Sequence, residues 1–213
     1  MHPRFRRALL PLSLLLFSLT LGAAAVAAQT LDYNYLFVST RAAGVTEDGL
    51  AYERGDIIGA QGIGGAWFMV FDAADNGLTA GQDVNAFDLT APPLNGAAAA
   101  VPGPIYLSFS QPRARVPGVP GWVMANDAVV FEAPQNGGTP EAPYALFFDG
   151  SDVGLTTRDE QIDSLSVWTP DELGPNAVAV PGDCAAGVVF ISTSANYRVP
   201  AAEGGSLTGR GGD

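Results

Sequence analysis

Lysine is absent from this 213-residue chain. All ten basic side chains are arginine, set against 22 Asp and Glu. Histidine and cysteine occur once each, as His2 and Cys184. The missing lysine excludes Schiff-base chemistry on a side-chain amine. His2 lies in an N-terminal segment with the character of a removable leader. Without it the chain has no Ser-His-Asp triad, no Cys-His dyad and no histidine-ligated zinc. A single cysteine allows no internal disulfide. Cys184, in PGDCAAGVVF just before an expected strand, reads as a small half-buried residue, an intermolecular disulfide being the alternative. No GxxxxGK[ST] phosphate loop is present. The glycine-rich GAQGIGG (59–65) leads into a strand rather than a helix, which makes it a turn and not a nucleotide site.

The leader is MHPRFRRALLPLSLLLFSLTLGAAAVAAQT. Arg4, Arg6 and Arg7 form a basic start, an apolar run covers about 8–21, and alanines offer cleavage after Ala27 or Ala28. Residues 1–28 are thus expected to be a signal peptide, and the remainder secreted, periplasmic or at the cell surface. Removal leaves seven arginines against the 22 acids. So acidic a chain repels phosphate backbones and anionic membrane surfaces, so no nucleic-acid partner is expected. No second apolar run is long enough for a bilayer, so no membrane insertion is expected after cleavage. The expected partner is an unknown protein or glycan.

What the chain has in abundance is Gly, Pro, aromatics and β-branched residues, an all-β composition with many turns. It also repeats itself. FDAADNGLT (71–79) matches FDGSDVGLT (148–156), and the match extends to the strands on either side. YLFVST (35–40) matches YLSFSQ (106–111), and GDIIGA (55–60) matches NDAVVFEA (126–133). VVFISTSANYRVP (188–200) resembles IYLSFSQPRARVP (105–117) and begins a third copy. The units are placed at 29–104, 105–187 and an incomplete 188–213. Each full unit predicts four strands, in the second at 105–110, 127–132, 144–148 and 162–167. In the first of these Ile105, Leu107 and Phe109 alternate with Tyr106, Ser108 and Ser110. The expected fold is two tandem four-stranded antiparallel units plus one extra strand, packed as a β-sandwich or barrel, with a partial β-propeller as the alternative. The sequence stops at a strand boundary inside the third unit: the expectation is either a truncated array or a leftover strand that completes the first two units. Thr169–Leu173 is expected to form one short turn.

The FDGSDVGL signature, with Ile162–Leu165, Val116-Pro117-Gly118 and Asp127–Phe131, resembles β repeats found in large, poorly characterised secreted or surface proteins of bacteria. That resemblance implies an extracytoplasmic repeat module and carries over no catalytic residues.

Two chemistries remain for the acids. Asp149, Ser151, Gly154 and Glu160 fall at the first, third, sixth and twelfth places of a calcium loop. The candidate metal ligands are Asp72, Asp75, Asp149, Ser151, Asp152 and Glu160, with calcium the only cofactor considered. Strands rather than helices are expected to flank this loop. One inserted residue also aligns Asp83 with Gln161, so the apparent twelfth ligands are not equivalent. The favoured reading is structural: Asp72 and Asp149 make Asx turns, Gly77 and Gly154 take positive φ, and Leu78 and Leu155 enter the core. A glycoside hydrolase is the third possibility, from Asp159, Glu160 and Asp163 with Asp72, Asp75, Asp149 and Asp152. Trp67, Trp122 and Trp168 are read as core residues, with sugar stacking as the alternative. The expected function is a non-catalytic binding or structural module, then a calcium-stabilised module, then a carbohydrate-active enzyme.

Overall fold

The computed structural model describes residues 35–62, 64–90, 103–133, 143–168, 188–201 and 204–211. The signal segment, the 169–173 turn and Cys184 lie outside the described residues. All regular structure among the described residues is β, apart from two short 3-10 turns.

The first sheet is a three-stranded antiparallel meander of β1 (Tyr35–Ser39), β4 (Ile57–Gln61) and β5 (Trp67–Phe71). The second contains four strands in the order β6 (Val84–Leu89), β7 (Ile105–Phe109), β10 (Ala128–Phe131) and β11 (Tyr144–Phe148). The third pairs β12 (Ile162–Trp168) with β13 (Val188–Thr193). Three small hairpins complete the described strands: β2 (Gly44–Val45) with β3 (Ala51–Tyr52), β8 (Arg113–Ala114) with β9 (Val123–Met124), and β14 (Tyr197–Pro200) with β15 (Ser206–Gly209).

The all-β expectation holds, and none of the sheets closes into a barrel. Their composition also corrects the expected units. β6, the fourth strand of the first repeat, pairs with β7, the first strand of the second. β12 pairs with β13 in the same way. A sheet is therefore built from strand four of one repeat and the opening strands of the next, so no sequence repeat can complete a four-stranded sheet alone. The third copy supplies three described strands, not one.

The hairpins are not legible in the sequence, because two-residue strands in the first two and the short YRVP and SLTG strands of the third carry no clear alternation. Strand registers also correct the alignment of the third copy. Val84 stands opposite Phe109, and Ile162 stands opposite Thr193. Thr193 thus takes the place of Phe109, one residue later than the sequence match gives. The connection into β14 is one residue shorter in compensation.

Two cores flank the second sheet. Ile105, Leu107, Phe109, Val129 and Phe131 cluster with Ile57, Phe71 and Leu78 of the first repeat. Tyr106 and Ala128 cluster with Ile162, Leu165 and Val167. The alternation read in β7 is correct, yet all five of its residues are buried, because both faces are covered. Each large aliphatic or aromatic side chain buried there contributes about 1.5–3 kcal/mol. Two of the three tryptophans depart from expectation: Trp122 and Trp168 are each 47% exposed.

Antiparallel succession fixes what lies at each end of the sheets. In each of the two full repeats the hairpin joins strand one to strand two, and the FDxxDxGL turn joins strand three to strand four. Hairpins and turns therefore share one end of the sheets.

Candidate functional site: the repeated turn and the hairpin that meets it

Each FDxxDxGL segment leaves a strand that has filled the core with its last Phe, and it must reverse direction at once. The Asp oxygen nucleates the reversal. Asp72 Oδ1 accepts from the Asp75 amide at 2.9 Å. Asp149 Oδ1 accepts from the Ser151 amide at 2.9 Å and from the Ser151 hydroxyl at 2.6 Å. The turn closes when Leu78 N donates to Ala73 O and Leu155 N to Gly150 O, both at 2.8 Å. Gly77 (φ 81°) and Gly154 (φ 86°) occupy the left-handed region that aims each Leu inward. Leu78 and Leu155 are both buried.

A second carboxylate, not foreseen as part of the site, supports each turn from beneath. Asp56 accepts from Glu53 N at 2.6 Å and Ala73 N at 2.9 Å. Its repeat equivalent Asp127 accepts from Met124 N at 2.7 Å and Gly150 N at 3.1 Å. Each therefore ties the end of a hairpin to the residue after the turn's Phe-Asp. Burial raises the Asp127 carboxyl above its ordinary range; the two amides oppose that, and the charge of Asp149 adds to it.

The supposed last calcium ligand has a different task. Glu160 is buried, and its Oε2 accepts from Thr156 N and Thr157 N at 2.8 Å each. Its Oε1 accepts from Arg198 N in β14 at 3.3 Å. Burial pushes the Glu160 carboxyl up, but the amides of Thr156, Thr157 and Arg198 with the Thr157 hydroxyl outweigh it, and the net shift is downward.

The equivalent residue in the first repeat is Gln82, also buried. Gln82 Oε1 accepts from the Thr79 amide at 2.5 Å and the Thr79 hydroxyl at 2.9 Å, and Nε2 donates to Arg115 O at 2.8 Å. Arg115 and Arg198 are counterparts in the VVFISTSANYRVP match. In both repeats, then, one buried side chain caps the post-turn segment and reaches the next repeat's hairpin.

The same hairpins press on the turn glycines. A Cβ at Gly77 would lie 3.1 Å from Pro117 Cγ, and one at Gly154 would lie 2.7 Å from Pro200 Cδ. The two signatures found in the sequence, FDxxDxGL and RVP, are thus the two halves of one joint between successive repeats. The signal for this was present: both motifs recur together, and the insertion that unseats Glu160 as a ligand aligns it with Gln82.

The six predicted metal ligands fall into two turns of separate repeats. Asp72 and Asp149 are engaged with turn amides, Asp75, Ser151 and Asp152 are exposed, and Glu160 binds the joint. Among the described residues, no group of three or more Asp, Glu, His or Cys is placed to hold a metal ion. Of the carboxylates considered for glycoside cleavage, Asp163 Oδ1 accepts from Ser192 at 2.6 Å and Asp159 is exposed. Comparison of the chain with models of known protein families, with curated proteins and with solved structures finds no match.

Proposed function

We propose that this chain is a secreted, non-catalytic β-repeat module that forms a stacked array at the cell surface or in an extracellular matrix. The observation that carries the proposal is the repeated joint. The residues that define the repeat serve to dock one unit on the next. The second sheet, with its 4-1-2-3 strand order and a core on each face, resembles a propeller blade more than one layer of a sandwich. Side chains of the second sheet latch onto strand β12 of the third: Asn85 Nδ2 and Ser108 Oγ donate to Ile162 O at 2.6 and 3.1 Å, and Asp88 Oδ2 accepts from Val167 N at 2.6 Å. A catalytic cleft would need carboxylates held apart and open to substrate, and Glu160 is instead closed over by amides.

The test is expression of the full chain with its own N-terminal segment in a bacterial host. Recovery outside the cytoplasm with a new N-terminus at residue 28 or 29 is expected. The exported protein should release no reducing ends from a panel of polysaccharides. Retention as uncleaved cytoplasmic protein, or glycan hydrolysis that follows an Asp159, Glu160 or Asp163 substitution, would overturn the reading.

A further inference from the structure

Six of the seven arginines after residue 28 lie in the three hairpin segments: Arg41 and Arg54, Arg113 and Arg115, Arg198 and Arg210. Each hairpin also carries one aromatic residue: Tyr52, Trp122 and Tyr197. An acidic protein has thus gathered its cations in the hairpin segments, at the end of the sheets that the hairpins share.

The three hairpins use these groups differently. In the first, Arg54 Nε pairs with Asp83 at 2.8 Å, so its charge is neutralised within the chain. In the second, the guanidinium carbons of Arg113 and Arg115 lie 4.8 and 4.3 Å from the centre of the Trp122 ring. Arg115 Nη1 also donates to Gly121 O at 3.0 Å, which fixes its fork. Among the described residues neither arginine forms an ion pair, although the chain holds 22 acids. The one acid of this hairpin segment, Asp127, is buried against backbone amides. In the third, Tyr197 and Arg210 line an open cleft of about 530 Å³ with Asn196, Thr208 and Gly209.

We propose that the hairpin end of the molecule binds an acidic glycan, with Arg113, Arg115 and Trp122 as the principal contact and the Tyr197–Arg210 cleft as a second. A guanidinium fork matches a carboxylate or sulfate in two parallel hydrogen bonds. Trp122 is half exposed, and the part of the indole that the guanidiniums leave open offers apolar surface to a sugar ring beside its polar N–H. A dense phosphate polymer suits this surface poorly, because acidic turns alternate with the hairpins and the net charge is strongly negative. A uronic-acid polymer meets the same net charge, but each of its residues carries a pyranose ring for the indole beside a carboxylate for the guanidinium forks.

This inference rests on the reading of the chain as a surface binding module and names its ligand class. The experiment is calorimetric titration of the full exported chain with polygalacturonate, its methyl-esterified neutral form and poly-glutamate. Binding to polygalacturonate alone is expected, weakening as salt rises. R113Q/R115Q and W122A should each lower affinity at least tenfold with unchanged circular dichroism, and R158Q, outside the hairpins, should not. Equal binding of wild type and R113Q/R115Q overturns the site. Preference for poly-glutamate, or no binding to any polyanion at low salt, overturns the glycan assignment. In those cases export without hydrolysis still upholds the module, whereas release of reducing ends refutes the module reading itself.

Discussion

The joint between the first and second repeats and the joint between the second and third occupy the same place, yet their hydrogen bonds run in opposite directions. Gln82 donates its amide proton to the carbonyl of Arg115. Glu160 accepts from the N–H of Arg198. The one-residue shortening before β14 accompanies this exchange of the backbone group offered, and the side chain differs to suit. What the repeat preserves is a span between a capped turn and a neighbouring hairpin. The donor and acceptor are free to trade places, so long as no buried group is left without a partner.

The comparison can be broken most forcefully at the turn glycines. Gly154→Ala combines a left-handed backbone with a Cβ only 2.7 Å from Pro200, and Gly77→Ala meets Pro117 at 3.1 Å. A left-handed Cβ costs about 1–2 kcal/mol and overpacking about 1–3 more. Urea denaturation is expected to show Gly154→Ala losing about 3 kcal/mol and Gly77→Ala about 2, on these same scales. Equal losses within error would mean that the prolines do not press on the turns.

Exchange of the joint residues tests the reversed polarity with smaller effects. Gln82→Glu would set a carboxylate against the Arg115 carbonyl, and Glu160→Gln would turn an amide donor toward the Arg198 N–H. Each leaves a buried polar group mispaired, for about 1–3 kcal/mol in the same denaturation assay. If either exchange were neutral, the joint would tolerate both polarities, and the match between side chain and backbone would carry no energy.

Acid separates the joints without mutation. The Glu160 carboxyl is held below its ordinary value of 4.5, so its contribution to stability is complete above that value and is lost as pH falls through the lower, folded one. Gln82 does not titrate. Hydrogen exchange in the wild type should therefore show β14–β15 opening progressively ahead of β8–β9 as pH falls below that ordinary value, a pH dependence that Glu160→Gln removes. Asp127 acts in the opposite sense. Its raised carboxyl favours the protonated folded form, so lowering the pH through that range relieves the second hairpin rather than loosening it.

The strands, the turn and its Asp-Gly-Leu logic were legible in the sequence because alternation and Asx chemistry are local. Sheet composition was not, since nothing in VNAFDL states that its partner is the next repeat's IYLSF. Asp56 and Asp127 were visible only as strand openers; their role depends on a turn 17 and 23 residues further on. Trp122 was read as core because size and apolarity suggest it, and the two arginines that flank its exposed ring come from the opposite strand of its hairpin. Glu160 was read correctly as out of step with Asp83, but its partner in the next hairpin lies 38 residues away.

The smallest expected effect concerns calcium, and its smallness is informative. A site in either acidic turn with a dissociation constant one hundredth of the calcium concentration would add about 2.7 kcal/mol of stability. For a chain of this size that is a rise in melting temperature of about 5–10 °C. The turns instead satisfy their carboxylates internally: Asp72 and Asp149 hold their own loops, and Glu160 holds the third repeat's hairpin. Calcium bound through the engaged oxygens would compete with those amides for the same lone pairs. Melting in 1 mM calcium and in excess chelator should agree to within about 1 °C, far below the shift such a site would give. A rise of several degrees, abolished by Asp149→Asn but not by Asp72→Asn, would show that the second turn differs from the first in function as well as in the polarity of its joint.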